Sequence, residues 1–208
     1  GATSSNRKVN GTDEVPYEVN ISLYDAMKGT IMNGADQWQN QRYISAHTIL
    51  LALEGIPAFY IHSILATENA HDLLKETGQA RSINRYCWEQ KALNKELSDS
   101  KGHHKIIFDE LKRRIDIRKK QPAFHPNATQ LTLHLGDQLF AFWRESLDRH
   151  QSIFALHNVS DRLAKVSLNE LNLISTDNWR DLLTDQKFTN VKEDIELLPY
   201  GCVWISNA

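Results

Sequence analysis

The sequence predicts an α/β segment that carries the edge of a barrel, followed by an all-β domain. Before about residue 121, apolar residues recur at the three- and four-residue spacing of helices. One unbroken apolar run, residues 58–66, is typical of a strand covered on both faces. After Pro126, short segments of alternating polarity follow one another with turn residues between them, as in a small antiparallel sandwich. We therefore expect two domains, residues 1–122 and 123–208.

Two helices flank the predicted strand. The first covers residues 37–54 and should end at Gly55, because glycine readily adopts the backbone conformation that closes a helix. The second runs from residue 103 to 121, where Pro122 prevents its extension. The first 16 residues are polar, rich in turn residues and without a period, so no regular element is predicted for them.

The second domain is predicted to consist of short strands. Leucines alternate with polar residues in residues 129–137, and similar segments follow at short intervals. These segments are residues 139–146, 152–160, 164–171 and 195–207.

Composition and charge exclude several classes of function. The chain is 41% hydrophobic and its formal net charge is −2, so neither nucleic acid nor a membrane surface is an expected partner. Cys87 and Cys202 are far apart, which predicts two buried free thiols in a reducing compartment, here the cytoplasm. No motif for a metal or an organic cofactor occurs, and none is expected to be bound.

The residues after the predicted strand are the candidates for a site. In an α/β barrel, side chains at the carboxyl end of a strand face the catalytic mouth. Here these include His62, Glu68 and Asn69. A histidine within an apolar run can equally be a buried core residue, and Glu68 and Asn69 can equally cap the next helix.

Residues 78–90 form a second candidate group, with two arginines, two aromatic residues and Asn84. They can form a polar and aromatic wall around a sugar, or a helix capped by Asn84 with packed aromatics. The pair His71-Asp72 falls at a predicted exposed helix start and is set aside. The residues by themselves do not specify a reaction.

Three motifs carry a family resemblance: PYEVNISLYDAM (16–27), GIPAFYIHSILATEN (55–69) and RSINR (81–85). In this order and spacing, they resemble the C-terminal part of sucrose-phosphorylase-like enzymes of the α-amylase superfamily. The resemblance covers about residues 14–120, and the β-domain matches as architecture. It implies the last strand and helices of a (β/α)8 barrel, followed by a C-terminal antiparallel β-sandwich domain.

The resemblance also implies a reaction. A retaining double displacement would transfer a glucosyl unit from a glucoside to inorganic phosphate and release glucose 1-phosphate. Arg85 resembles an arginine that contacts the glucosyl hydroxyls, and Tyr17 and Glu18 resemble a loop pair on the acceptor side. Glu18 stands where sucrose-active members carry Gln, and Asn69-Ala70 where some carry Asn-Asp. A related glucoside, such as glucosylglycerate or a sucrose phosphate, is therefore an alternative to sucrose.

The catalytic carboxylates of the family lie on earlier strands, and none of their motifs occurs in this sequence. We therefore expect a fragment that is inactive alone, and self-association through unpaired barrel segments. The alternative is a non-enzymatic module that binds carbohydrate or protein. In that case Trp143, Trp179 and Trp204 would form a sugar-stacking face, unless they pack in the core.

Overall fold

The structure is a computed structural model that describes residues 1–11, 13–171, 173, 178–190 and 192–207. Most helices lie in the first 121 residues. The elements up to that point are β1 Thr3–Val9, β2 Asp13–Asn20, α1 Leu23–Ala26, β3 Gly29–Thr30, β4 Gly34–Ala35, α2 Gln39–Ala52, α3 Ile61–Ile64, α4 His71–Thr77, a 3₁₀ turn Ala80–Asn84, α5 Gln90–Ser98 and α6 His103–Arg118.

Strands dominate the rest of the chain. After a 3₁₀ turn at Pro122–Phe124 the elements are β5 Thr129–Leu133, β6 Leu139–Glu145, β7 Ser152–Asn158, β8 Ala164–Ser167, a 3₁₀ turn Leu168–Leu171, β9 Trp179–Asp181, β10 Lys187–Phe188, β11 Asp194–Leu197 and β12 Cys202–Ser206. The predicted change from helices to short strands is confirmed.

Internal contacts divide the chain into two compact units. The first unit comprises residues 1–40 and 59–109, and the second comprises residues 41–58 and 110–208. The predicted domain boundary between residues 122 and 123 stays a prediction.

The first unit begins with a hairpin that was not predicted. β1 and β2 pair antiparallel, with Val9 opposite Asp13. Asn10 and Gly11 both have positive φ, 54° and 81°, which is the backbone that tight hairpin turns require. The Asn-Gly pair therefore specifies the turn. We missed it because the flanking residues lack the alternation of apolar side chains that marks most hairpins.

The apolar run at residues 58–66 is not a strand, so this part of the prediction is wrong. Residues 56–60 have no regular structure, and α3 follows at once. Tyr60 has an extended backbone, with φ −75° and ψ 143°. A strand also needs a neighbour to receive its backbone hydrogen bonds, and no described strand pairs with this run.

The second unit contains an antiparallel sandwich, as predicted. One sheet has the order β10-β9-β12-β7-β6-β5, and β11 pairs with β8 in a separate two-stranded sheet. Residues from both sheets form one hydrophobic core. Its buried members are Ala141, Phe154, Leu156, Ala164, Val166, Leu168, Leu171, Trp179, Ile195, Leu197, Val203 and Ile205.

Two buried arginines hold the end of α2 within the second unit. Arg144 donates to the carbonyl of Ala52 at 2.8 Å, and Arg118 donates to the carbonyls of Leu51 and, at 3.0 Å, Gly55. The last carbonyls of a helix lack partners in the helix and carry partial negative charge. The guanidinium groups satisfy them, while Gly55 at φ +91° turns the chain away.

Trp143, Trp179 and Trp204 do not form a sugar-binding face. Trp204 is fully buried and Trp179 is 3% exposed, while Trp143 packs against the core. That alternative is wrong because a stacking platform must present its ring to solvent. Within the described part of the chain, no helix is long and apolar enough to cross a membrane.

Candidate functional site

The segment that carries Asn69 is fastened to the start of α1. The N–H of Ser22 donates to Asn69 Oδ1 at 2.7 Å, and the N–H of Asn69 donates to Asp25 Oδ2 at 2.6 Å. Ser22 also caps α1 by accepting from the N–H of Asp25 at 3.2 Å. The bonds to Ser22 and Asp25 fix Asn69 in place, so the residue has a structural role whatever it binds.

His62 belongs to α3 and lies beside a buried threonine. Its Nδ1 is 3.2 Å from Thr67 Oγ1, which also accepts from Trp88 Nε1 at 3.0 Å. Burial lowers the pKa of His62, which favours the neutral ring. A neutral ring can accept a hydrogen bond from the Thr67 hydroxyl, so His62 and the Trp88 indole both contact this hydroxyl.

A cavity of about 610 Å³ opens next to Thr67. Glu68 lies exposed on its wall, and the rings of Tyr86 and Trp88 meet edge to face at 4.9 Å. The lining residues are Thr67, Glu68, Asn69, Ala70, His71, Asp72, Leu73, Tyr86, Trp88, Ala92, Glu96, His103 and His104. Carboxylates accept hydroxyl hydrogen bonds and aromatic faces pack on sugar rings, so these walls suit a polyhydroxylated ligand.

Two histidines at the start of α6, His103 and His104, also line the cavity. His104 Nδ1 lies 2.6 Å from the carbonyl of Leu65, and His103 stacks on Tyr24 at 4.5 Å. Burial, and next the charge of His104, lower the pKa of His103. Burial raises the pKa of Tyr24 to about 12, and the negative charges of Glu68 and Asp25 add to this. Both rings are therefore neutral near pH 7.

The second polar group lies where β2 meets the 3₁₀ turn Ala80–Asn84. Glu18 Oε2 accepts from Arg81 Nε at 2.8 Å. The hydrogen bond from Arg81 lowers the pKa of Glu18, and the charge of Arg85 lowers it further. Tyr17 adds a weaker contact to Arg81. We call Tyr17, Glu18, Arg81 and Arg85 the arginine cluster.

A β-bulge positions Tyr17 in this cluster. Ser5 lies opposite Glu18 and Asn6 lies opposite Pro16, so Tyr17 has no opposing residue in β1. A bulge bends its strand and redirects the extra side chain. Tyr17 is accordingly 53% exposed, while Glu18 points to Arg81.

The structure brings the candidate residues into these two groups. Tyr17, Glu18 and Arg85 lie in the arginine cluster, Glu68 and Asn69 line the cavity, and His62 contacts Thr67 of the cavity wall. Whether they bind substrate stays a prediction.

Two details differ from expectation. Asn84 ends the 3₁₀ turn, and the residue that precedes α5 is Glu89, so the predicted cap at Asn84 is wrong. Cys87 is exposed instead of buried.

Within the described residues, no group of three or more His, Cys, Asp or Glu side chains is arranged to hold a metal ion.

Arg81 is the residue whose importance the sequence did not reveal. It was only one of two arginines in the 78–90 group, and its partner Glu18 lies 63 positions away. The acid at position 18 could have indicated this pairing, because a half-exposed carboxylate in a polar cluster favours a cationic neighbour.

Comparison with known proteins links the chain to glycoside phosphorylases. The glucosylglycerate phosphorylase of Allomeiothermus silvanus is 32% identical over 200 residues, which are 96% of this chain and 33% of that protein. The Escherichia coli glucosylglycerate phosphorylase is 30% identical over 91% of this chain and 32% of its own length. The sucrose phosphorylase of Bifidobacterium adolescentis is 31% identical over 39% of this chain and 14% of its own length.

Solved structures confirm the fold. An Anoxybacillus α-amylase superposes with a TM-score of 0.63 at 17% identity, covering 91% of this chain and 36% of that one. The maltose complex of AmyP gives a TM-score of 0.60 at 12% identity, covering 82% of this chain and 35% of that one. No protein-family model matches the chain.

The chain spans about a third of the length of the two glucosylglycerate phosphorylases. The predicted resemblance is confirmed: the chain is similar to a part of glucosylglycerate phosphorylase and of sucrose phosphorylase, and its fold resembles a part of α-amylase structures.

Proposed function

We propose that this chain is the C-terminal part of a phosphorylase that transfers a glucosyl unit from a glucoside to inorganic phosphate. The observation that carries the proposal is the similarity to glucosylglycerate phosphorylase over 96% of the chain. The chain supplies part of the substrate-binding wall, and the catalytic carboxylates belong to the remaining two thirds of the enzyme. The proposed location is the cytoplasm.

The proposed substrate is glucosylglycerate. The two relatives that match more than 90% of this chain carry that name, whereas the similarity to a glucosylglycerol phosphorylase covers 52% of it and that to sucrose phosphorylase 39%. Glu18, where sucrose-active members have Gln, also supports a substrate other than sucrose.

The reaction would follow a double displacement with retention. One carboxylate forms a covalent glucosyl intermediate, and phosphate then attacks it, while a second carboxylate acts first as acid and then as base. In this scheme Arg85 donates to hydroxyls of the glucosyl unit, and Tyr17 and Glu18 lie beside the leaving group. His62, Glu68 and Asn69 form the rim.

Two assays test the proposal. The purified 208-residue chain should release no glucose 1-phosphate from glucosylglycerate and phosphate, because positioned carboxylates supply most of the catalysis. A hybrid in which residues 1–208 replace the aligned third of the Allomeiothermus enzyme should restore phosphorolysis. Turnover by the isolated chain, or a folded hybrid inactive on every glucoside tried, would contradict the proposal.

A point variant of the hybrid tests the role of Arg85. We expect Arg85→Gln to lower kcat/KM about ten- to a hundred-fold, the effect of losing one or two hydrogen bonds to a charged donor. Lys91→Gln removes one positive charge from an exposed position on α5 and is the matched control. Equal rates for the two variants would refute the role of Arg85.

A further inference from the structure

The 3₁₀ turn that carries Arg81 is held firmly in place. Ser82 and Ile83 are buried, and the carbonyl of Ile83 accepts from the N–H of Ala70 at 2.6 Å. Thr77 Oγ1 donates to Ser82 Oγ at 2.7 Å, and Thr3 Oγ1 donates to the carbonyl of Ala80 at 3.0 Å. The base of the Arg81 side chain is therefore fixed by contacts on both sides of the turn.

Glu18 orients the guanidinium of Arg81 through one of its three nitrogens. The 2.8 Å bond takes the Nε nitrogen, Tyr17 adds a weaker contact to the same guanidinium, and the side chain remains 47% exposed. A guanidinium is a planar fork whose spacing matches the two oxygens of a carboxylate. An arginine anchored through Nε is thus prepared to receive a second carboxylate.

The charge balance of the arginine cluster favours an anion. Arg81 and Arg85 are cationic and Glu18 is anionic, which leaves one net positive charge. The cavity has the opposite character, because Glu68, Asp72 and Glu96 line it and no described lysine or arginine does. An acidic group on a ligand is therefore attracted to the cluster and repelled from the cavity.

We propose that Arg81, held by Glu18, selects an acceptor that carries a carboxylate. This inference rests on the proposed function and identifies the part of the substrate that this chain would recognise, the carboxylate of the acceptor. The ligand class is a small hydroxy acid, whose carboxylate would pair with the exposed part of the Arg81 guanidinium. A neutral polyol of the same size would gain nothing from the net charge.

Titration of the full 208-residue chain tests the binding directly. The ¹⁵N resonance of Arg81 Nε should shift on addition of glycerate and stay in place with glycerol, and Arg81→Gln should abolish the glycerate-induced shifts of amides 80–85. Lys91→Gln should leave them unchanged. Inorganic phosphate is the third probe. No shift with glycerate, an equal shift with glycerol, or tighter binding of phosphate than of glycerate would overturn the proposal.

The hybrid enzyme provides the functional measurement. With glucose 1-phosphate as donor, Arg81→Gln should lower the selectivity for glycerate over glycerol about ten- to a hundred-fold, and Arg81→Lys should recover part of it. An equal loss with both acceptors would mean that Arg81 only supports the fold, which overturns the proposal. A hybrid without any turnover refutes the proposed function instead, and the titration then decides about Arg81.

Discussion

The two compact units are stabilised in different ways. In the second unit, a six-stranded sheet and a two-stranded sheet bury one continuous core, with Leu156 and Ile205 fully inaccessible. In the first unit, the sheets are two-stranded hairpins. Several of its large apolar residues are exposed: Val19 by 68%, Met32 by 88% and Ile31 completely.

The second unit, with the large core, is the scaffold, and the first unit carries the candidate site. An isolated two-stranded hairpin is only marginally stable, and exposed apolar residues in a polar setting mark surfaces that meet a partner. The unit with the candidate site has the smaller sheets, and its apolar residues at the two hairpins are exposed, as Ile56 and Leu198 are in the second unit. The second unit has the properties of a domain that folds by itself.

The largest expected effect is self-association through the first unit. We expect the chain to associate at micromolar concentration, which corresponds to about 8 kcal/mol. The double variant Val19→Lys/Ile31→Lys should weaken this association, whereas Val159→Lys/Leu147→Lys in the second unit should not. Light scattering measures both. A monodisperse, folded monomer of the unsubstituted chain would count against the prediction.

Truncation in the core of the second unit should lower the free energy of unfolding strongly. Leu156 is fully buried, and Leu156→Ala should cost about 2–5 kcal/mol through lost burial and the cavity that remains. Leu147 is 65% exposed, and Leu147→Ala should change the value by less than about 0.5 kcal/mol. Urea denaturation followed by tryptophan fluorescence measures both. Similar losses for the two variants would show that the core is not where the structure places it.

The strands of that core were predictable because their pattern is local. Leu131 and Leu133 alternate with polar residues, and β5, β6 and β7 pair with their sequence neighbours. The run at residues 58–66 has an equally clear apolar pattern, yet it forms no strand, because a strand depends on partners that pattern alone cannot supply. The β1–β2 hairpin shows the converse, since its turn residues were informative although its strands were not.

The candidate site was predictable only in part. The end of an apolar run indicated Glu68 and Asn69, which do line the cavity. The pairing of Glu18 with Arg81 joins residues 63 positions apart, and no local rule of spacing predicts it. The same holds for the bonds that Asn69 makes with Ser22 and Asp25, which depend on how distant segments pack.

Acid should destabilise the second unit through His157. This ring is fully buried, and burial lowers its pKa to about 4 from an ordinary 6.5. Between these values the unfolded chain binds a proton that the folded chain does not, so the free energy of unfolding falls as the pH falls. The two pKa values correspond to about 3 kcal/mol, lost between pH 6.5 and 4.

A variant isolates this contribution. His157 Nδ1 lies 2.9 Å from the carbonyl of Phe140, a hydrogen bond that the amide of His157→Asn can replace. The variant should flatten the dependence of stability on pH in that window. His134→Asn, at an exposed histidine, should retain it. If both variants keep the slope of the unsubstituted protein, His157 is not its source.

Loss of the Asn69 side chain should act within the first unit alone. Asn69→Ala removes the acceptor of the Ser22 N–H, which should cost about 1–2 kcal/mol locally. Amides of residues 20–27 should then exchange with solvent about five- to thirty-fold faster by hydrogen exchange. Amides of β7 should be unaffected. Faster exchange that spreads to β7, or no change near Ser22, would contradict the separate stability of the two units.

The smallest effect on stability is expected at Glu18, although it lies at the centre of the arginine cluster. Its bond to Arg81 is short, but both side chains are substantially exposed, 35% and 47%, and exposed ion pairs contribute little because water screens them. Glu18→Gln preserves the shape and should leave the midpoint of urea denaturation unchanged, also at high salt. The same substitution should shift the Arg81 Nε resonance, since an amide oxygen is a weaker acceptor than a carboxylate. Glu18→Gln could instead lower the denaturation midpoint as much as a core truncation does. The arginine cluster would then stabilise the fold, and the contrast between a unit stabilised by its core and a unit that carries the site would fail.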